Sequence, residues 1–290
     1  MSVVLDVCGL TKRYGAVHAV EEVSLRVEAG ELRGLVGPNG AGKSTTISCV
    51  AGVLRADSGA VRVCGVNALR DRRRAQRWLG VASQRIALYG GLSVRTNLRF
   101  FAGLASGDRL VSERDVDETI ETLRLGPLAD TPPARLSLGQ QRLVHVATVL
   151  VHRPRVLLLD EPTAGLDVQA RADLLDLLRG RAVEGAAVVI STHQLGDVEE
   201  HCATVTLLHR GRLIASGHVT ELIERHGQPR VELRVGAETL VWQGHDIVAA
   251  LTAAGAERAI DDVRVIRPSL QAVFSTLVQA SVDAGGELWR

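Results

Sequence analysis

An α/β fold followed by a small C-terminal α+β unit is what this sequence predicts, on three observations. A short apolar run, Leu32 to Val36, leads into a glycine-rich loop and then a helical segment. Val156–Leu159 and Ala187–Ile190 are near-continuous apolar runs of strand length, as expected of strands covered on both faces of a parallel sheet. These runs alternate with segments of helical periodicity, which is the pattern of a sheet flanked by helices.

In chain order, Val3–Val7 and Val17–Val27 read as strands, with Lys12-Arg13-Tyr14-Gly15 as the turn between them. After the glycine-rich loop, Thr46–Leu54 reads as a helix, Asp57-Ser58-Gly59 as a turn and Ala60–Cys64 as a strand. Leu69–Trp78 is an arginine-rich helical segment whose charged side is solvated, with Ala75, Trp78 and Leu79 anchoring the other side. Leu79–Ser83 is a strand that ends at Gln84. Ser93 is the expected N-cap of a helix with Val94, Leu98 and Phe101 on one face. Ser112 and Asp115 begin a second helix with the stripe Val116, Ile120 and Leu123. Gly126–Pro133 is a connection, Leu143–Val151 a helix and Val168–Leu178 another. Val205–Leu208 and Arg212–Ala215 form a hairpin across His209-Arg210-Gly211, followed by the short helix Val219–Arg225. Gly227-Gln228-Pro229 marks a boundary, so residues 1–225 and 226–290 are expected to be separate domains. Beyond it come strands at Val231–Val235, Leu240–Trp242 and Val263–Ile266, a helix at Ile247–Ala254, and a closing helix with Leu270, Val273, Phe274 and Leu277 on one face.

The composition narrows the classes of function. The chain has 290 residues, of which 46% are hydrophobic and 23% charged, so it is globular and long enough for a core and a smaller unit. A net charge of +1 and an aromatic content of 3% argue against a nucleic-acid partner, which needs a basic surface or stacking platforms. No apolar run approaches the ~18–20 residues of a membrane span, and the first fifteen residues do not read as a signal peptide. A soluble, cytoplasmic chain is expected. Cys8, Cys49, Cys64 and Cys202 have neither paired nor metal-like spacing and read as free thiols, and the nine histidines form no zinc pattern.

The loop itself is Gly37-Pro38-Asn39-Gly40-Ala41-Gly42-Lys43-Ser44-Thr45. Gly-x-x-x-x-Gly-Lys-Ser between a strand and a helix is a P-loop: glycines let successive N–H groups converge on one anion, and the helix adds its positive end. Lys43 is expected to reach the β- and γ-phosphates of a nucleotide and Ser44 to offer its hydroxyl to Mg²⁺. Downstream, Val156–Leu159 runs into Asp160-Glu161, adjacent carboxylates at a strand end in the arrangement called Walker B. Asp160 is placed to hold Mg²⁺, directly or through water, and Glu161 to polarise a water attacking the γ-phosphate. About twenty residues upstream of that pair, Leu136-Ser137-Leu138-Gly139-Gln140-Gln141-Arg142 opens the helix Leu143–Val151, where Ser137 can hold an anion.

This last stretch resembles the LSGGQ signature of the ATP-binding-cassette (ABC) ATPases, and the other motifs of that family occur in order. Tyr14 resembles the aromatic residue that stacks on adenine. Gln84 resembles the glutamine that senses Mg²⁺ and couples to the membrane partner. Ala164-Gly165-Leu166-Asp167 resembles the D-loop, and Ser191-Thr192-His193 the switch histidine. The resemblance covers about Val3 to Arg225, with one departure: Leu138 stands where the signature has its first glycine.

The resemblance implies a P-loop NTPase core with a mostly parallel sheet, an N-terminal antiparallel β subdomain, and a helical subdomain at about residues 85–151 carrying the signature. It implies ATP and Mg²⁺ as ligands. Residues Gly37 to Thr45 with Tyr14 would hold the nucleotide, and Ser44, Gln84 and Asp160 the metal. Glu161, His193, Lys43 and Gln84 would be catalytic. It also implies head-to-tail pairing, in which Ser137, Gly139 and Gln140 of a second copy complete each site in trans, or of a related ATPase. The motor would then drive a separate integral membrane permease from the cytoplasmic face. Leu92–Phe100 and the tail stretch Arg267–Phe274 resemble bacterial drug, polysaccharide and sodium export subunits, so export is the expected direction. A soluble cassette ATPase acting on ribosomes or DNA, and an import subunit, are the alternatives.

Overall fold

The computed structural model describes residues 2–104, 111–227, 229–235, 238–244, 246–254, 260–266 and 268–285. It divides into two compact units, residues 1–216 and 217–290. The sequence boundary at Gly227-Gln228-Pro229 includes Gln228, which lies outside the described residues, as does Arg267 of the tail stretch. The helix Val219–His226 groups with the C-terminal unit rather than with the core.

The first unit opens with two long strands, β1 (Val3–Tyr14) and β2 (Val17–Glu28), paired antiparallel. The sequence pattern predicts a strand end at Val7 and a turn at Lys12–Gly15. The strand instead continues through a register shift between Val7 and Leu10, with Gly9 at φ 56°, and the turn is at Gly15-Ala16. A bulge absorbs the break in alternation that looked like a strand end. β3 (Leu32–Val36) is buried throughout and leads into α1 (Lys43–Val50). That helix starts and stops earlier than the expected Thr46–Leu54. Gly42 caps it at φ 100°, and Gly52 at φ 69° follows its end. β4 (Ser58–Val63) pairs with β1, and the unforeseen two-residue β5 (Val66–Asn67) pairs with β4. These strands make an antiparallel sheet of order β2-β1-β4-β5.

The arginine-rich segment forms only one turn, α2 (Arg72–Gln76), with Ala75 buried beneath it, before β6 (Leu79–Ala82). Two amphipathic helices follow, α3 (Val94–Leu104) and α4 (Glu113–Thr122). Ser93 Oγ accepts from Thr96 N at 3.2 Å, and Ser112 and Asp115 form a capping box. α5 (Leu138–Leu150) begins five residues before the expected Leu143. Ser137 and Gln140 already form a capping box there, ahead of the apolar stripe from which the sequence reading counted.

Next come β7 (Val156–Asp160), α6 (Val168–Val183), β8 (Ala187–Thr192), α7 (Leu195–His201), β9 (Thr204–His209) and β10 (Arg212–His218). The short α7 was not foreseen. The second sheet has order β10-β9-β3-β8-β7-β6, and β6, β7, β8, β3 and β9 run parallel. A cluster from Leu5, Val23, Ile47, Val61, Val156 and Leu158 forms the core between the sheets. Because the strands are parallel, Val36, Ala82, Asp160 and Thr192 all end at one edge. In open α/β sheets that carboxyl edge is where ligands bind.

The C-terminal unit contains α8 (Val219–His226), β11 (Arg230–Val235), β12 (Glu238–Gln243), α9 (Ile247–Ala254), β13 (Asp262–Ile266) and α10 (Leu270–Gly285). Its strands form an antiparallel sheet of order β12-β11-β13, with Val231, Leu233 and Ala250 as a small core. Leu270 and Val273 of the expected apolar stripe are buried.

Candidate functional site

At the carboxyl edge of the parallel sheet lies a cleft of about 610 Å³. Asn39, Gly40, Ala41, Gly42, Lys43, Ser44 and Thr45 line it, together with Gln84 and Glu161. Neither Gly37 nor Gly42 can carry a side chain. A Cβ on Gly37 would lie 2.3 Å from the Leu208 carbonyl oxygen, and one on Gly42 2.4 Å from that of Ala19. The loop is fastened from outside as well, since Gly211 N donates to Ala41 O at 3.1 Å and Glu21 N to Gly211 O at 2.7 Å.

Lys43 is buried in the first turn of α1. Its Nζ donates to Gly37 O at 2.7 Å and to Pro38 O at 3.2 Å, and sits 3.8 Å from Glu161 Oε1. Burial pulls its pKa down, while the Glu161 and Asp160 carboxylates oppose the fall. The ammonium therefore sits inside the loop on carbonyl partners, with a carboxylate close by.

Asp160 and Glu161 are buried at the end of β7, and Ser191 of β8 organises both. The register places Asp160 opposite Ser191. Ser191 Oγ donates to Asp160 Oδ1, and Glu161 N donates to Ser191 Oγ at 3.0 Å. The Glu161 backbone sits at φ 49°, a conformation that costs a non-glycine residue about 1–3 kcal/mol. That bend returns its carboxylate to the cleft, where Oε1 and Oε2 lie 3.1 and 3.2 Å from His193 Nδ1. His193 is itself outside the cleft lining and reaches it through Glu161.

The donor set suits Mg²⁺ arriving with a nucleotide rather than a metal held by protein alone. Mg²⁺ keeps several waters and is commonly held through one or two carboxylates plus substrate phosphates. Ser44 and Gln84 line the cleft, and Asp160 ends the adjoining strand. No cluster of three His, Cys, Asp or Glu capable of holding a metal occurs among the described residues.

Of the residues expected at the site, Gly37, Pro38, Asp160 and His193 are not in the lining of the cleft, and neither are Tyr14 and the Ser137–Gln140 stretch. Tyr14 is 52% exposed at the end of β1, with Lys12 Nζ 5.7 Å from its ring centroid. Its pairing partner Val17 lines the cleft in its place, with His18 and Ala19. Ser137, Gly139 and Gln140 are at the N-terminus of α5. Gln140 N donates to Ser137 Oγ at 3.2 Å and Ser137 N to Gln140 Oε1 at 2.9 Å. A Cβ on Gly139 would lie 2.8 Å from the carbonyl oxygen of Gly165, so the start of α5 presses on the loop 164–167 of its own chain. Leu138 is 63% exposed beside it.

Sequence reasoning missed Val17, His18, Ala19 and Arg210 as cleft residues, and Ser191 as the organiser of the carboxylates. Arg210 and Gly211 gave a signal as a hairpin turn. Its position against the P-loop follows only from β9 pairing with β3.

Comparison with known proteins places these features in one group. The ABC transporter family matches residues 20–164, half of the chain. The chain is 36% identical over 219 residues to the probable multidrug ABC transporter ATP-binding protein YbhF of Escherichia coli, covering 76% of this chain but 38% of that protein's length. It is 34% identical to the linearmycin resistance ATP-binding protein LnrL of Bacillus subtilis (75% and 70% coverage), and 38% identical to the methionine import ATP-binding protein MetN of Myxococcus xanthus (74% and 68%). A solved ATP-binding subunit of an ABC transporter superposes with a TM-score of 0.71 at 29% identity, over 77% of this chain and 92% of that one.

Proposed function

This chain belongs to the ABC transporter ATP-binding family, and from that premise we propose that it is an ATP-hydrolysing motor subunit that pairs head to tail on ATP and drives a separate membrane permease. One observation carries the pairing: the cleft holds the P-loop, Gln84 and Glu161, while Ser137, Gly139 and Gln140 lie outside it. A second copy supplies what the first lacks. Among the described residues no helix is long and apolar enough to cross a membrane.

Within this reading the P-loop amides and Lys43 bind the phosphates, with Lys43 exchanging its bonds to Gly37 and Pro38 for phosphate oxygens. Ser44, Asp160 and Gln84 would hold Mg²⁺, which would supply charge neutralisation to the bound phosphates. Glu161 orients and polarises the attacking water, and His193 fixes the Glu161 carboxylate while facing the γ-phosphate. Tyr14 stacks on adenine at the cleft's outer edge. Hydrolysis cleaves off the γ-phosphate that bridges the two copies, and when that phosphate leaves the pair opens. Occupancy by ATP therefore favours one state over the other, which a permease can harvest.

Export of a drug or lipid-like substrate is favoured by the relatives named for multidrug transport and linearmycin resistance. Import is the second reading, because MetN is named for methionine import at similar identity. Purification from its host with the permease attached distinguishes them: a solute-binding partner in the complex supports import, and its absence with drug-stimulated hydrolysis supports export. The motor reading is tested by ATP hydrolysis of the purified chain, and a chain that neither binds nor hydrolyses ATP contradicts it.

A further inference from the structure

The most unusual charged group outside the nucleotide cleft is Arg142, on the second turn of α5 and 7% exposed. Its Nη1 donates to the backbone carbonyl of Gln84 at 2.6 Å and lies 3.4 Å from that of Ser83. Among the described residues no ion pair within 4 Å holds it, and its buried Nε has no hydrogen-bond partner there. A buried guanidinium without a carboxylate within ion-pair distance is costly to retain. Burial lowers its pKa, while Asp160 and Glu161, the carboxylates of the cleft, hold the charge in place from a distance.

The position of this bond is what matters. Ser83 and Gln84 form the corner where β6 leaves the sheet, and Ser83 Oγ closes that corner by donating to Arg85 O at 2.8 Å. Gln84 lines the chain's own cleft. Arg142 sits two residues beyond Gln140, on the helix whose first turn carries Ser137 and Gly139. One side chain thus ties the residue offered to the chain's own nucleotide to the helix offered to the other copy's nucleotide.

We propose that Arg142 is a positioning residue: it holds the Gln84 corner to α5, so that Gln84 engagement in one cleft sets the orientation of Ser137 and Gly139 presented to the other. This rests on the motor reading above, and it names the side chain that ties the Gln84 corner to the start of α5. In the unliganded chain the bond keeps the corner closed. When Gln84 moves toward metal and phosphate, its carbonyl carries Arg142, and with it the start of α5.

The test uses the full chain with Arg142→Met, Arg142→Lys, Gln84→Ala and the double variant Arg142→Met/Gln84→Ala. Hydrogen exchange at the amides of residues 83–88, without nucleotide, is expected to accelerate about 10-fold or more in Arg142→Met and by less in Arg142→Lys. Unchanged exchange overturns the proposal whether or not the chain hydrolyses ATP. In hydrolysis, Arg142→Met is expected to lower kcat about 10-fold, raise the Mg²⁺ concentration at half-maximal rate, and reduce the Hill coefficient for ATP toward 1. Nucleotide affinity of the single chain should stay within about twofold. The double variant should be no slower than Gln84→Ala, since Arg142 acts through that corner. Effects that multiply instead, or a wild-type Hill coefficient in Arg142→Met, overturn the link. A wild-type chain that binds no ATP fails the motor reading separately.

Discussion

At the end of β7, Asp160 and Glu161 are buried, and Ser191, His193 and Lys43 hold them within the chain. At the start of α5, Ser137 and Leu138 are exposed, and the polar groups of Ser137 and Gln140 bond to each other. Both regions carry short motifs on the same kind of scaffold, a regular element ending in polar residues. The first is a pre-formed cluster whose polar groups already have partners within the chain. The second is a self-satisfied cap whose polar groups bond to each other at the surface. The contrast teaches that burial marks what the chain completes by itself and exposure marks what it offers outward.

The sharpest way to break this contrast is at the buried end. Glu161→Gln should lower hydrolysis by about 100-fold or more while leaving ATP binding intact, measured by phosphate release and nucleotide titration. A loss of binding instead would make Glu161 part of the cradle. At the exposed end, Gly139→Val drives a side chain toward the carbonyl oxygen of Gly165, 2.8 Å from the Cβ position. It should reduce hydrolysis by about 100-fold with nucleotide affinity of the single chain unchanged.

A third prediction concerns how firmly the exposed cap is anchored. His145, further along α5, is 4% exposed, and burial, with a smaller push from Arg142, lowers its pKa from 6.5 to about 4. Above pH 6.5 both folded and unfolded chains carry a neutral imidazole and nothing is lost. Between pH 6.5 and 4 the unfolded chain takes up the proton and the fold does not, so stability falls as pH falls, by about 3 kcal/mol at most. Urea unfolding of His145→Leu across this window should show a flatter pH dependence than the wild type. Smaller still, Tyr14→Ala should weaken ATP affinity by about 3- to 10-fold, the scale of one aromatic stack, and Tyr14→Trp should preserve it. No change in Tyr14→Ala would place adenine against Val17 instead, which the titration reads directly.

Much of this was legible in the sequence, unevenly and for physical reasons. The strands β3, β7 and β8 were plain because both faces are buried, and Gly37–Thr45 and Asp160-Glu161 because their chemistry is local. The boundaries of α1 and α5 were misjudged because Gly42 and the Ser137–Gln140 capping box start those helices before any apolar stripe begins. Strand β1 was cut short because a bulge breaks alternation without ending the strand. Ser191, Arg210 and Arg142 were not readable as site residues. Their roles depend on strand order and on a bond between residues 58 positions apart, which no local pattern records.

The central claim, that the site is completed by a second copy, is tested most directly by solution mass with Mg²⁺ and ATP. Glu161→Gln should double in mass on adding ATP, and Glu161→Gln/Gly139→Val should bind ATP yet stay at the mass of a single chain. If both variants bind ATP and both remain single, or both pair alike, the start of α5 does not close over a partner's nucleotide and the account is contradicted.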